Sequence, residues 1–248
     1  MPRYQTWNFT CRRVALTILE FFLPRLCVFC GVPVGVAAPT AVCPACEGQI
    51  HWTASPLCPR CGVVFVSREG EDHLCHDCQK DPPPFKRARA AALYDGPAAD
   101  AIRRFKYSRR LDYLPVMQHW LTKPHCLELA AAADLIVPVP LHGKRLKERG
   151  FNQAVLLARA FTQLPLSLQA LVRVRHTAPQ AGLKPHERRD NVRRAFQVPQ
   201  PELIQDKKIL LIDDVYTTGA TVRECAKALL QAGARQVEVL TVARARPS

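Results

Sequence analysis

Neither of the common glycine-rich phosphate fingerprints occurs in this chain. It contains no G-x-x-x-x-G-K-[ST] and no G-x-G-x-x-G, which excludes the nucleotide P-loop and the dinucleotide-binding turn. Long apolar runs are missing too. The run over residues 14–23 falls far short of the about 20 residues that span a bilayer. Arg12 and Arg13 precede it in the manner of a secretion signal, but Glu20 interrupts it and no small-x-small cleavage site follows. The expectation is an amphipathic helix over residues 6–23 that packs on the rest of a cytoplasmic protein, without stable membrane insertion. Attachment to a membrane surface is the alternative. Acidic residues are also few, 21 against 35 Lys and Arg, for a net charge of +14. Residues 1–85 hold 7 of each sign, so residues 86–248, with 28 against 14, carry the whole excess. That asymmetry points to a polyanionic ligand or nucleic acid.

Cysteine is plentiful and regular. Eight of the eleven form four C-x-x-C pairs: Cys27/Cys30, Cys43/Cys46, Cys58/Cys61 and Cys75/Cys78. In a chain without a secretion signal, such pairs read as Zn²⁺ ligands rather than as disulfides. Each pair can turn two thiolates onto one ion, and two pairs complete a closed tetrahedral site with no position left for catalysis. Gly31 and Gly62 follow their cysteines where the chain must fold back. Sequential pairing fits the spacing, and interleaved pairing stays open. His51, His73 and His76 are left as surface or supporting residues, while Cys11, Cys126 and Cys225 fall outside the pattern. A thioredoxin-like redox motif would need a surrounding βαβ pattern that this segment lacks. A segment this poor in apolar residues needs the metal to fold.

The most informative stretch is KILLIDDVYTTGAT, residues 208–221. Residues 209–212 form a short β-prone apolar run, the pattern of a strand buried on both faces of a parallel sheet. Asp213 and Asp214 end it. Thr217, Thr218, Gly219, Ala220 and Thr221 make a small hydroxyl-rich turn, and residues 222–230 have helical spacing. Free backbone N–H groups and the positive end of a helix dipole make such a turn a phosphate cradle. The two carboxylates before it suit sugar hydroxyls or a divalent cation. An ordinary βα turn with surface acids is the competing reading.

Residues 82–84 are three prolines that read as a stiff linker over 82–87. The domains expected are therefore an N-terminal helix over 1–24, a metal module over 25–81 and an α/β domain over 88–248. Within the last, strands are expected at 88–94, 135–139, 168–175, 209–212 and 236–242, with helices at 98–107, 113–121 and 154–161. Arg103, Arg104, Lys106, Arg109 and Arg110 read as a solvated helix end or a nucleic-acid contact. Ligands of open α/β sheets bind at the carboxyl ends of strands. His142, Gly143, Lys144 and Arg145 follow the second strand. The segment 176–194 is polar and includes Arg188, Arg189, Arg193 and Arg194, whose charge suits a single-stranded phosphate backbone. Its one aromatic neighbour is Phe196, so stacking platforms are scarce.

Residues 208–221 resemble the phosphoribosyl pyrophosphate (PRPP) motif of type I phosphoribosyltransferases. The run PVPLHGKRLKERGFNQA, the four cysteine pairs and Phe105-Lys106-Tyr107 narrow the resemblance to the ComF family, from about residue 23 onward. The resemblance implies a double zinc ribbon joined to a type I phosphoribosyltransferase-like domain with an open, mostly parallel sheet. It implies that Asp213 and Asp214 hold the ribose hydroxyls, Thr217–Thr221 the 5′-phosphate, and His142–Arg145 the pyrophosphate, with Mg²⁺ accompanying PRPP. In that fold, residues 176–194 correspond to a mobile hood. The family also implies single-stranded DNA and proteins of DNA uptake or recombination as partners, in natural transformation; some relatives are named for gluconate utilisation. Whether PRPP is only bound, or is turned over with an acceptor in nucleotide salvage or other metabolism, is open at this point.

Overall fold

A computed structural model describes residues 24–35, 38–67, 69–175, 177 and 185–246, with the side chains of residues 185, 186, 188 and 189 excepted. The helix expected at 6–23, Cys11 and most of the segment 176–184 lie outside the described residues. The chain divides into two compact units, Met1–Gln49 and Ile50–Ser248. In the first, strands β1 (Arg25–Leu26) and β2 (Pro33–Val34) pair antiparallel, and a short helix α1 (Pro44–Glu47) follows.

The second unit is built on four parallel strands: β3 (Ala88–Leu93), β4 (Leu135–Pro138), β7 (Lys208–Tyr216) and β8 (Gln236–Arg244), in the order β3-β8-β7-β4. β7 lies inside the sheet, and Ile209, Leu210, Leu211 and Ile212 are each at most 1% exposed, the reason its sequence is a continuous apolar run. Helix α3 (Gly96–Tyr107) follows β3, and a 3-10 turn over Leu111–Tyr113 leads into α4 (Leu114–Trp120). Helices α5 (Pro124–Ala131), α6 (Gly143–Arg149), α7 (Gln153–Ala158), α8 (Pro185–Val192) and α9 (Ala220–Gln231) complete the unit, with α2 (His76–Lys80) in its cysteine-bearing segment. Cys126 and Cys225 are fully buried core residues.

One expectation is revised. Residues 168–175 do not form a third strand of the sheet. Only β5 (Val172–Arg173) is extended, and it pairs antiparallel with β6 (Phe196–Gln197) away from the parallel strands. Leu166 instead bridges to Ile136 of β4, and the Ser167 hydroxyl then accepts from the Ala170 N–H at 3.1 Å. A side-chain bond of that kind turns the chain away from ladder pairing. After the three prolines, Phe85 is fully buried and the Lys86 N–H bonds the Val237 carbonyl at 2.8 Å. Cys58, Cys61, Cys78 and Phe85 share one apolar cluster with residues of β4, β7, β8 and α9.

Candidate functional site

The cysteines assemble sequentially. The sulfurs of Cys27, Cys30, Cys43 and Cys46 lie within 4.8 Å of one another, and so do those of Cys58, Cys61, Cys75 and Cys78. The Cys30–Cys43 and Cys61–Cys75 sulfurs are 3.6 and 3.7 Å apart, close to the ~3.8 Å edge of a tetrahedron with about 2.3 Å Zn–S bonds. Backbone N–H groups point at the sulfurs: Cys43 at Cys27, Cys46 at Cys43, and both Cys61 and Cys75 at Cys58. These donors stabilise thiolates over thiols. The residues fit two structural Zn²⁺ ions. Of the histidines, His51 pairs with Asp95 at 2.9 Å and His73 stacks on Phe65.

At the carboxyl ends of β4 and β7 lies a cavity of about 600 Å³. β7 pairs with β4 only as far as Ile212, but with β8 as far as Tyr216. The acid pair therefore projects from the step where one neighbouring strand has ended and the other continues. Asp213 and Asp214 both line the cavity, as do Thr217, Gly219, Ala220 and Thr221. Gly219 has φ +77 and caps α9; a Cβ there would run into the Tyr216 ring. Only glycine fits, because the backbone must double back under that ring to present the N–H groups at the start of α9. Thr218 does not line the cavity; it is half-buried, its hydroxyl accepting from the Ala220 N–H at 3.4 Å.

The electrostatics of the acid pair involve a residue whose role was hidden in a basic run. Lys106 Nζ lies 2.7 Å from Asp214 Oδ1, with side chains only 18% and 8% exposed. Burial draws the Lys106 ammonium down, but the facing Asp214 carboxylate outweighs it and holds the pKa above the ordinary value. Burial, and then the adjacent Asp214 charge, push the Asp213 carboxyl up to about 7.

Of the other residues singled out in the sequence, Arg145 and Arg109 line the cavity, whereas His142, Gly143 and Lys144 do not. The last three open α6, with the His142 ring accepting from the Lys144 N–H at 3.3 Å. Arg103, Arg104, Arg110, Arg193 and Arg194 are exposed and outside the cavity. Arg104 pairs with Asp100 and Arg110 with Asp112. Arg188 and Arg189 lie on α8, and their side chains are outside the described residues. Phe196 is buried beneath the Arg173 guanidinium, so it offers no open face. Sequence reasoning missed Arg173 and Gln153. Gln153 Nε2 and Arg173 Nε are buried without a hydrogen-bond partner among the described residues, and both side chains line the cavity. Buried donors of this kind are usually satisfied, so a ligand is a natural partner for them. Tyr107, 69% exposed on the rim near Arg149, is an aromatic surface also missed.

Residues 18–79 match the double zinc ribbon domain family, and residues 146–248 match the phosphoribosyl transferase domain family. DNA utilization protein YhgH of Escherichia coli (strain K12) is 33% identical over 234 residues, covering 90% of this chain and 98% of that protein. Competence protein F of Haemophilus influenzae is 32% identical over 243 residues, or 92% of this chain and 100% of that one. Competence protein ComFC of Bacillus subtilis (strain 168) is 28% identical, covering 82% and 84%. No helix among the described residues is long and apolar enough to cross a membrane.

Proposed function

The chain belongs to the ComF family of double zinc ribbon and phosphoribosyl transferase proteins, and from that premise we propose that its cavity binds PRPP with Mg²⁺ in the service of DNA utilisation. One observation carries the reading: the Asp213–Asp214 pair, the glycine-capped turn before α9 and two buried donors without a hydrogen-bond partner among the described residues line a single cavity. Asp213 and Asp214 accept from the ribose 2′ and 3′ hydroxyls. The N–H groups of Thr217–Thr221 take the 5′-phosphate at the start of α9. Arg145, Arg173 and Gln153 face the pyrophosphate, while His142, Gly143 and Lys144 stand at the start of α6 outside the cavity lining. Asp213 and Asp214 are the carboxylates nearest the bound ligand in this reading, and a Mg²⁺ accompanying PRPP would supply positive charge against the pyrophosphate.

The same arrangement suits transfer chemistry. The acid pair and the phosphate turn hold the ribose at both ends, which fixes its anomeric carbon against an attacking nitrogen. Arg145 and Arg173, which line the same cavity, stabilise charge as it builds on the departing pyrophosphate. The acceptor would approach past Tyr107. Calorimetric titration of the zinc-loaded chain with PRPP and Mg²⁺ tests the reading, beside a variant carrying Asp213→Asn and Asp214→Asn. Binding that the variant loses supports it; no binding by the native chain sinks it. Pyrophosphate release in an acceptor screen then separates turnover in nucleotide metabolism from binding alone.

A second ligand, single-stranded DNA, is supported by the excess of basic residues over 86–248 and by the exposed Tyr107, whose ring carries the Arg149 guanidinium on one face. Stacking on such a face combined with phosphate contacts is how single strands are held. Arg103, Arg109, Arg193 and Arg194 supply those contacts in this reading, which also places the chain in the cytoplasm with DNA-uptake or recombination proteins. Affinity for an oligonucleotide should fall steeply between 50 and 200 mM salt. Affinity that does not change with salt contradicts it.

A further inference from the structure

We infer that the second tetracysteine centre braces the phosphate turn, and that Arg244 and Arg223 are the positioning residues that transmit its metal occupancy to that turn. The inference rests on the cavity reading above only for the identity of the ligand. Arg244 ends β8 and lies opposite Tyr216, the last residue of β7. It is 7% exposed, its Nη2 lies 3.3 Å from Cys61 Sγ, and its guanidinium carbon sits 4.0 Å from the centre of the Tyr216 ring. Its Nε and Nη1 have no hydrogen-bond partner among the described residues. The Cys61 sulfur is thus the anchor for a buried cation, and it is an anion when it ligates Zn²⁺. Tyr216, held between Arg244 and the edge of Phe85, is the ring under which Gly219 turns. One line of contacts therefore runs from the metal centre through Arg244 and Tyr216 to the cap of α9.

A second line reaches the other side of that turn. Cys78 lies on α2, whose C-cap is Asp81. Arg223, in the first turn of α9, binds both the Asp81 carbonyl and its carboxylate, the latter at 3.2 Å. The centre is also seated on the sheet: Gly62, at φ +69, leaves no room for a Cβ against the Ala88 carbonyl, and the Ala88 N–H bonds the Arg60 carbonyl at 2.8 Å. The phosphate turn is thereby fixed from two directions by one metal centre. A tetrathiolate Zn²⁺ cluster is doubly negative and holds Arg244 in place. When the metal leaves, the Cys61 sulfur is no longer fixed by coordination, and the anchor 3.3 Å from Arg244 Nη2 is free to move away from the guanidinium it holds over Tyr216.

The test uses the full zinc-loaded chain and its Arg244→Met, Arg244→Lys and Arg223→Met variants. Three quantities are read: zinc release to a chromophoric chelator, hydrogen–deuterium exchange over residues 215–223 without ligand, and PRPP affinity. Arg244→Met should speed zinc release on the order of tenfold or more, the usual effect of deleting a partner of a metal ligand, and raise exchange in the turn. Arg244→Lys should keep slow zinc release while losing protection of the turn, because an ammonium donates to sulfur but does not stack as a plane on Tyr216. Arg223→Met should raise exchange without changing zinc release. PRPP affinity should fall about tenfold in Arg244→Met, and a native chain that binds no PRPP would overturn the ligand reading while exchange still decides the brace. If Arg244→Met does not fold, zinc is withdrawn from the native chain, and cysteine alkylation identifies which centre has opened. Unchanged exchange at 215–223 with the second centre open, or in a folded Arg244→Met, overturns the inference.

Discussion

Replacing Lys106 with Met removes a buried cation while keeping the length of its side chain, and the consequence can be worked from the geometry. At 2.7 Å the Lys106–Asp214 pair is in direct contact and largely shielded from water. Breaking a buried pair from one side costs about 3–5 kcal/mol, mostly from the charge left behind. Because Lys106 keeps 18% exposure, a value near 3 kcal/mol is expected at pH 8. With roughly 2–4 °C per kcal/mol for a chain of this size, the thermal midpoint should drop by about 6–12 °C. Acid should repair part of this. In the variant the Asp213 carboxyl loses the lowering influence of Lys106 and takes up its proton at higher pH than in the native protein, so the deficit shrinks as pH falls. Because Asp213 of the native protein also takes up a proton near pH 7, the recovery between pH 8 and pH 5.5 should be about 1 kcal/mol, each unit being worth up to about 1.36 kcal/mol, leaving a deficit of about 4–8 °C at pH 5.5. Thermal melts of native and variant protein at the two pH values provide the assay. A deficit that is the same at both pH values, or below 2 °C at pH 8, refutes the idea that Lys106 compensates the acid pair.

Asp213→Asn should flatten the pH dependence of stability. The Asp213 carboxyl is raised to about 7, well above its value of about 4 in an unfolded chain, so its contribution is present below pH 4 and is lost as pH rises toward 7. The Asn variant should melt above the native protein at pH 8 and at the same temperature near pH 4, and a lower midpoint at pH 8 contradicts this. Gly219→Ala should cost about 2 kcal/mol, from strain at φ +77 and the collision with Tyr216, and should abolish PRPP binding while retaining zinc; calorimetry and metal analysis read both. Cys58→Ser should lower the midpoint of the whole second unit, because Cys58 belongs to the same apolar cluster as the sheet, and an unchanged midpoint contradicts that shared core.

The parts of the account legible in the sequence are those written as local pattern. β7 was readable because a strand covered on both faces must be apolar at every position, and the turn after it because glycine and small hydroxyl residues suit a backbone that presents N–H groups. The cysteine pairs were readable because two-residue spacing aims both sulfurs at one ion. What was not legible depends on partners far away in the chain. Lys106 looks like the other cations of its helix, and only the approach of α3 to β7 joins it to Asp214. Arg244 has no local pattern at all, since its sulfur partner is Cys61. Residues 168–175 have strand composition, but Leu166 takes the edge of β4 and Ser167 turns the chain before they can pair.

The most direct measurement is a crystal structure of the zinc-loaded chain grown with PRPP and Mg²⁺. The ribose hydroxyls should lie on Asp213 and Asp214, the 5′-phosphate on the amides of Thr217–Thr221, and the pyrophosphate facing Arg145, Arg173 and Gln153. PRPP bound elsewhere on the chain, or a cavity still empty at saturating ligand, would contradict that placement.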